Sequence, residues 1–233
     1  MRRRLGDADL YWSNRRDDGW KANSHWRGVL SDAEWASVGS DHLAMFDTFT
    51  KALGVSSRPA TVIEWGCGGG ANAVLFARRC THFIAADVSA DSVDECVRQI
   101  SAVCDTPTTR LVIDINDPQA ATLGRESTCQ VFLCFYVVEL TAGPEEALRI
   151  LDAAQRLLID GGMAMIQVKY HSTDTTTRGR GRDYRRNLAN MTTFAIDDFW
   201  IQAARHGLTP RLITLVPQNR FDERYAYYAL TKP

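Results

Sequence analysis

The sequence predicts an α/β fold built on a doubly wound, largely parallel sheet, and three observations carry that reading. From residue 61 onward, short apolar runs alternate with stretches of helical spacing, which is the pattern of repeated βαβ units. The first run, Thr61-Val62-Ile63, passes through Glu64-Trp65 into a glycine turn, Gly66-Cys67-Gly68-Gly69-Gly70. Three successive runs end in an acid, Glu64, Asp87 and Asp114, so three strands deliver carboxylates to one edge of the sheet. In open α/β sheets ligands bind outside the carboxyl ends of the strands.

Each element has its own justification. Thr61 to Ile63 is β-branched and suits a strand buried on both faces. The glycines that follow carry no Cβ, so they take positive φ and let a ligand approach the main chain. Ala71 to Arg79 contains good helix formers and a basic end, complementing the negative pole of a helix. Thr81 to Ala86 reads as the second strand. Asp87 follows it roughly twenty residues after the glycines, the spacing at which a carboxylate accepts from ribose hydroxyls. Ser89 caps a helix to Ile100 with Val93, Val97 and Ile100 on one face, and Arg110 to Ile113 is the third strand. Cys129 to Val138 is continuously apolar, as a central strand is. Pro144 starts a helix over Glu145 to Ile159 that Gly161-Gly162 ends. Met163 to Lys169 is the fifth strand, Ile196 to His206 a helix stopped by Gly207, and Leu212 to Val216 and Tyr225 to Thr231 the closing strands.

Composition narrows the class. A chain of 233 residues, 45% hydrophobic, fits one α/β enzyme domain with an ample core. A formal charge of -1 gives no global attraction to nucleic acid or anionic membrane. Six cysteines without C-x-x-C pairing read as reduced packing residues of a cytoplasmic protein, with no metal site. The basic N-terminus has no apolar stretch behind it, and no membrane-spanning run follows.

The segment Glu64-Trp65-Gly66-Cys67-Gly68-Gly69-Gly70 resembles the first motif, E/D-x-G-x-G-x-G, of class I S-adenosylmethionine-dependent methyltransferases. Asp87 matches the acid that this family places on the ribose, with Val88 beside it, and Asp114-Ile115 matches the pair that cradles adenine. The resemblance implies that Glu64, Gly66, Cys67 and Gly68 flank the methionine moiety and that Cys134-Phe135 closes the pocket. It also implies a Rossmann-like sheet of order 3-2-1-4-5-7-6 with the last strand antiparallel. S-adenosyl-L-methionine is the implied cofactor and S-adenosyl-L-homocysteine the product. A dinucleotide is the competing ligand, but Glu64 at the strand end repels a pyrophosphate and suits a zwitterionic amino acid.

Residues 1–55 form an aromatic-rich preface to a methyltransferase domain over 56–233. Its rings either pack helices on the sheet or fold across the cofactor; in the second case Tyr11 and Trp20 are the contact candidates. Between about 170 and 194 lies a polar loop too long for an ordinary turn. From Lys169 to Arg186 the chain holds six basic residues against two acidic ones. That suits either a solvated face or a lid in which Lys169, Tyr170, Arg180 and Arg182 grip an anionic substrate.

Methyl transfer requires alignment and, for a hydroxyl, removal of a proton. The residues beyond the fourth and fifth strands available for that are Tyr136, Glu139 and His171. Glu139 stands where many small-molecule members of the family carry a histidine, and a carboxylate acceptor needs no base. The expected activity is O-methylation of a small molecule or modified peptide. The alternatives are RNA or protein methylation through the basic loop, or a non-catalytic cofactor-binding module. Nucleic acid and membrane are not expected partners, and self-association stays open.

Overall fold

A computed structural model describes residues 2–14, 16–216, 222 and 224–233. Seven strands form one sheet: β1 (Thr61–Trp65), β2 (His82–Asp87), β3 (Thr108–Val112), β4 (Cys129–Cys134), β5 (Leu158–Lys169), β6 (Thr209–Val216) and β7 (Tyr225–Thr231). Their order is β3-β2-β1-β4-β5-β7-β6. β1 to β5 pair in parallel, and β7 runs antiparallel between β5 and β6. The order and the reversed last strand are those expected from the sequence.

Among the described residues, six α-helices accompany the sheet: α1 (Arg2–Trp12), α2 (Asp32–Leu53), α3 (Ala73–Phe76), α4 (Ala90–Ser101), α5 (Pro144–Leu157) and α6 (Ile196–Arg205). Because side chains alternate along a strand, Ile63 and Phe132 pack with α5 and α6 through Leu151 and Phe199 on one face. On the other face Val62 and Leu133 pack with Phe46 and Phe49 of α2, Phe76 of α3 and Val93 of α4. The first 55 residues therefore divide in space. α2, started by a Ser31/Glu34 capping box and ended by Gly54 at φ 67°, covers the sheet, whereas α1 and the chain to Trp26 gather beyond the strand ends. All six cysteines are free. Among the described residues, no helix is long and apolar enough to cross a membrane.

Several expected boundaries move, each for a local reason. Residues 71–79 make one α turn and a 3-10 turn rather than a single helix, with the Ala77 carbonyl taken by the Thr106 hydroxyl at 2.7 Å. β4 stops at Cys134 because Tyr136 turns to φ 56° and gives its N–H to Gln167 Oε1 at 2.5 Å. α5 ends at Leu157, ahead of the Gly161-Gly162 stop, because Leu158 already pairs with Cys129 in the sheet. β6 begins as early as Thr209, and Pro210 is tolerated there because an edge strand need not donate on its outer side.

Glycine 39 shows how tightly α2 seats. A Cβ there would lie 2.3 Å from the Ala71 carbonyl oxygen, whereas one on Gly6 in α1 meets nothing within 4 Å. Gly→Ala inside an exposed helix stabilises by about 1 kcal/mol, and Gly6→Ala is expected to do so. Gly39→Ala should instead destabilise by about 1–3 kcal/mol through overpacking. Urea denaturation midpoints of the two variants should move in opposite directions.

Candidate functional site

The site begins where β1 ends. Gly66 and Gly68 take φ of 84° and 49°, and the Gly66 and Cys67 N–H groups bond the Ala86 carbonyl at 2.7 and 2.9 Å. The missing side chains leave room chiefly for the protein itself. A Cβ on Gly68 would lie 2.3 Å from the Ser24 carbonyl oxygen, and one on Gly69 would lie 2.7 Å from Trp26 Cα. Gly69 N–H donates to that Ser24 oxygen at 2.6 Å. The segment from Ser24 to Trp26 thus lies along the turn and leaves His25, at φ 51°, on the cavity wall.

Asp87 stands opposite. Its Oδ2 accepts from Gly68 N–H and its Oδ1 from Ser89 N–H, both at 2.9 Å. Burial raises its carboxyl to about 6 despite these donors, and each oxygen keeps a lone pair for a further hydroxyl donor.

Between these groups lies a cavity enclosing about 1050 Å³ of atom-free space, its open mouth included. Its floor is Gly66, Cys67, Gly68, Asp87 and Val88, and its flank is Ile113, Ile115 and Pro118. Phe135, Tyr136 and Val137, at the end of β4, line it together with Ser24 and His25, the Tyr136 and His25 rings lying side by side. Leu5, Ala8 and Trp12, spaced to share one face of α1, form the roof with Tyr184. Trp12 Nε1 donates to the Tyr184 hydroxyl at 2.8 Å, and that hydroxyl donates to the Leu140 carbonyl at 2.6 Å.

Of the residues singled out by sequence, the structure brings Gly66, Cys67, Gly68, Asp87, Val88, Ile115, Phe135 and Tyr136 to this lining. The others are placed differently. Glu64 is buried beneath it, with Oε1 accepting from Asn72 Nδ2 at 2.8 Å and Oε2 unpartnered. Burial pushes its carboxyl to about 8. Cys134 is fully buried in the core. Asp114 is exposed and accepts from Asn116 N–H at 2.8 Å, leaving its neighbours Ile113 and Ile115 to line the flank. Tyr11 and Trp20 stand behind the wall: Tyr11 oxygen accepts from Asn23 at 2.6 Å, and Trp20 packs edge-on to Trp12.

The basic loop folds down with its arginines outward. Arg180 and Arg182 are exposed and away from the cavity, while Tyr184 and Leu188 of the same loop turn inward. The Lys169 ammonium is buried against Asp222 Oδ2 at 2.6 Å and the Ala189 carbonyl at 2.8 Å. Tyr170 bridges to Phe194 beside it. His171 Nδ1 bonds Thr193 Oγ1 at 3.1 Å. Glu139 is buried outside the lining, its carboxyl raised to about 7 by burial. Of the three candidates for acceptor chemistry, Tyr136 alone reaches the cavity. Its ring centroid lies 5.0 Å from that of His25.

Sequence reasoning missed Trp12, Ser24, His25, Asn72 and Tyr184. The Trp12 and Tyr184 signals were present, as apolar helical spacing and as an aromatic within a basic run. The placement of His25 had no local signal, because it depends on a backbone contact with Gly69.

Against known proteins, a family model described as "Methyltransferase domain" matches residues 40–211. No curated protein matches at a significant level. Magnesium protoporphyrin IX methyltransferase from Synechocystis PCC 6803, solved with bound SAH, superposes with a TM-score of 0.67 at 16% identity, covering 98% of this chain and 99% of that one. The N-methyltransferase NodS from Bradyrhizobium japonicum WM9, also with S-adenosyl-L-homocysteine, gives 0.65 at 13%, covering 99% and 98%. The Burkholderia thailandensis 1,6-didemethyltoxoflavin-N1-methyltransferase gives 0.61 at 17%, covering 98% and 86%. At these identities the likeness establishes the fold. By its family-model match and its sheet order, the chain belongs to the methyltransferase-domain family, of the class I S-adenosylmethionine-dependent type.

Proposed function

We propose that the protein uses S-adenosyl-L-methionine to methylate a small molecule, with a hydroxyl or carboxylate oxygen as acceptor. The observation that carries this reading is the roofed apolar cavity in which Asp87 and the Gly66–Gly68 turn meet Tyr136 and His25. The residues fit the cofactor on two counts. Asp87 has lone pairs left for the two ribose hydroxyls after its backbone bonds, and Glu64 Oε2 is a buried acceptor without a partner, suited to a cationic amino-acid end. Val88 and Ile115, both on the cavity lining, would hold the adenine. The sulfonium supplies an activated methyl group when bound.

The chain's own part is alignment and proton removal. The acceptor stands at the Tyr136 and His25 end, where two rings restrict its orientation. Tyr136 and His25 would hold the acceptor oxygen in line with the methyl group, for which the cofactor's sulfur would be the leaving group. A hydroxyl proton would pass to the His25 imidazole on the cavity wall; a carboxylate needs no such step. The small-molecule reading is favoured by the roof of α1 and Tyr184, and by neighbours named for small acceptors. The loop arginines Arg180 and Arg182 are exposed and do not line the cavity.

Labelled cofactor incubated with a metabolite extract should leave label in the small-molecule fraction. Label that nuclease or protease releases would instead place the activity on RNA or protein, and binding without turnover on any pool would leave only a binding module. Asp87→Asn should weaken cofactor binding by about 10- to 100-fold in calorimetry, the loss of a charged acceptor for hydroxyls, without unfolding the chain.

Glu64 gives a pH test. Its folded value, about 8, lies above the ordinary 4.5, so the folded state holds the proton more tightly. Stability contributed at low pH is then lost as pH rises through about 8. Glu64→Gln removes this dependence. The melting temperature of the variant relative to wild type should therefore rise between pH 5 and pH 9, by an amount corresponding to a few kcal/mol. A constant difference across that range would mean that Glu64 is ionised throughout.

A further inference from the structure

Behind the cavity wall runs a chain of buried polar side chains that alignment and proton removal do not use. Glu64, Asn72, His42 and Tyr227 come from β1, the turn before α3, α2 and β7, and are 1%, 7%, 1% and 1% exposed. Asn72 Nδ2 donates to Glu64 Oε1 at 2.8 Å, Asn72 Oδ1 meets His42 Nδ1 at 2.7 Å, and His42 Nε2 meets the Tyr227 hydroxyl at 2.9 Å. The amide orientation fixes every other role. Since Asn72 Oδ1 is an acceptor, His42 Nδ1 carries the hydrogen. His42 Nε2 is then the lone-pair nitrogen, and Tyr227 donates to it. Burial supports this by lowering His42 to about 4 and raising the Tyr227 phenol. The imidazole also stacks on Phe135, with centroids 4.1 Å apart and planes at 12°.

A buried polar chain is costly unless satisfied, and an apolar replacement of similar shape is often no less stable. This chain is satisfied from Tyr227 to Glu64 Oε1 and ends on an oxygen, Glu64 Oε2, without a partner. Asn72 is the member that lines the cavity. With the hydrogen on His42 Nδ1 and Glu64 ionised against an ammonium, a turned-over amide would set Oδ1 against the carboxylate and Nδ2 against the His42 N–H, both repulsive. We propose that His42 is a positioning residue for the amino-acid end of the cofactor. By holding Asn72 in one orientation, it keeps Glu64 anchored through one oxygen and leaves the other for the ligand's ammonium. This inference rests on the cofactor assignment above and concerns only one end of that ligand.

Two probes separate that end from the rest. S-adenosylhomocysteine carries the amino-acid moiety, and 5′-methylthioadenosine is the same nucleoside thioether without it. His42→Phe keeps a ring against Phe135 and removes both nitrogens. In calorimetry it should lose about tenfold or more in affinity for S-adenosylhomocysteine while binding 5′-methylthioadenosine within about twofold of wild type. Tyr227→Phe, a gentler change that deletes only the terminal hydroxyl, should shift the same ratio in the same direction by less. In the ligand-free protein, nitrogen NMR should find His42 neutral with its hydrogen on Nδ1.

Equal losses for both ligands would mean that His42 only packs, and would overturn the inference, as would no loss for either. A hydrogen on Nε2 would overturn it from the other side, since the amide would then be reversed. Should His42→Phe not fold, the Tyr227→Phe ratio and the tautomer still decide. Wild-type protein that binds neither probe would overturn the cofactor assignment itself, a result distinct from every outcome above.

Discussion

The structure depends on one close approach: the chain from Ser24 to Trp26 lying directly on the glycine turn after β1. Gly69 donates to the Ser24 carbonyl at 2.6 Å, and the space where two side chains would stand is filled by Ser24 and Trp26 backbone. Glycine is needed there because any Cβ would collide with main chain, which cannot swing aside as a flexible side chain can. Around it the packing is equally tight, with Gly66 against Val137, Gly70 against Cys96, and Gly39 of α2 against the Ala71 carbonyl. The turn is therefore clamped from several sides. His25 is carried to the cavity by this clamp, and so is the roof that α1 makes above it.

Such a turn sits among buried acids, and the electrostatics follow from that. Glu64, Asp87 and Glu139 are all raised, and burial is the largest cause for each. They differ in what compensates. Asp87 is met by two backbone N–H groups, and its value stays the lowest of the three. Glu64 has a single neutral amide donor, and Asp87 itself raises it further. A site that keeps an under-compensated acid next to a cavity costs stability unless something cationic arrives, which is the logic of holding binding capacity at the expense of the empty state.

The sheet was legible in the sequence because its signals are local. β-branched runs, glycine breaks and acids at strand ends specify strand, turn and edge within a few residues, and the family motif then orders the strands. Part of the cavity lining was legible for the same reason: Gly66, Gly68, Asp87 and Ile115 lie where their strands end. The rest of the wall was not. Tyr136 and His25 reach it through positive φ at residues that rarely adopt it, and no residue type announces that. In the loop over 170–194 charge and burial fall on different residues. Its arginines dominate the sequence but stay in water, while Tyr184, the uncharged residue among them, is drawn inward by apolar burial and by its bond to Trp12. Lys169 is paired with Asp222, distant in sequence, and lies outside the cavity lining.

The roof has a different standing from the floor. α1 is an 11-residue helix without an acid in its first turn, and Arg4 instead places positive charge near its positive pole, where charge of that sign is unfavourable. A helix of that length is marginal alone in water. Its stability must therefore come from docking, through Ala8 and Trp12 against Trp20, Tyr184, Leu188 and Met191. The loop gains in return, since Tyr184 is pinned between Trp12 and the Leu140 carbonyl. Helix and loop are thus stabilised by each other, and releasing either exposes both. The floor beneath is built from strand ends and clamped glycines and owes nothing to that docking.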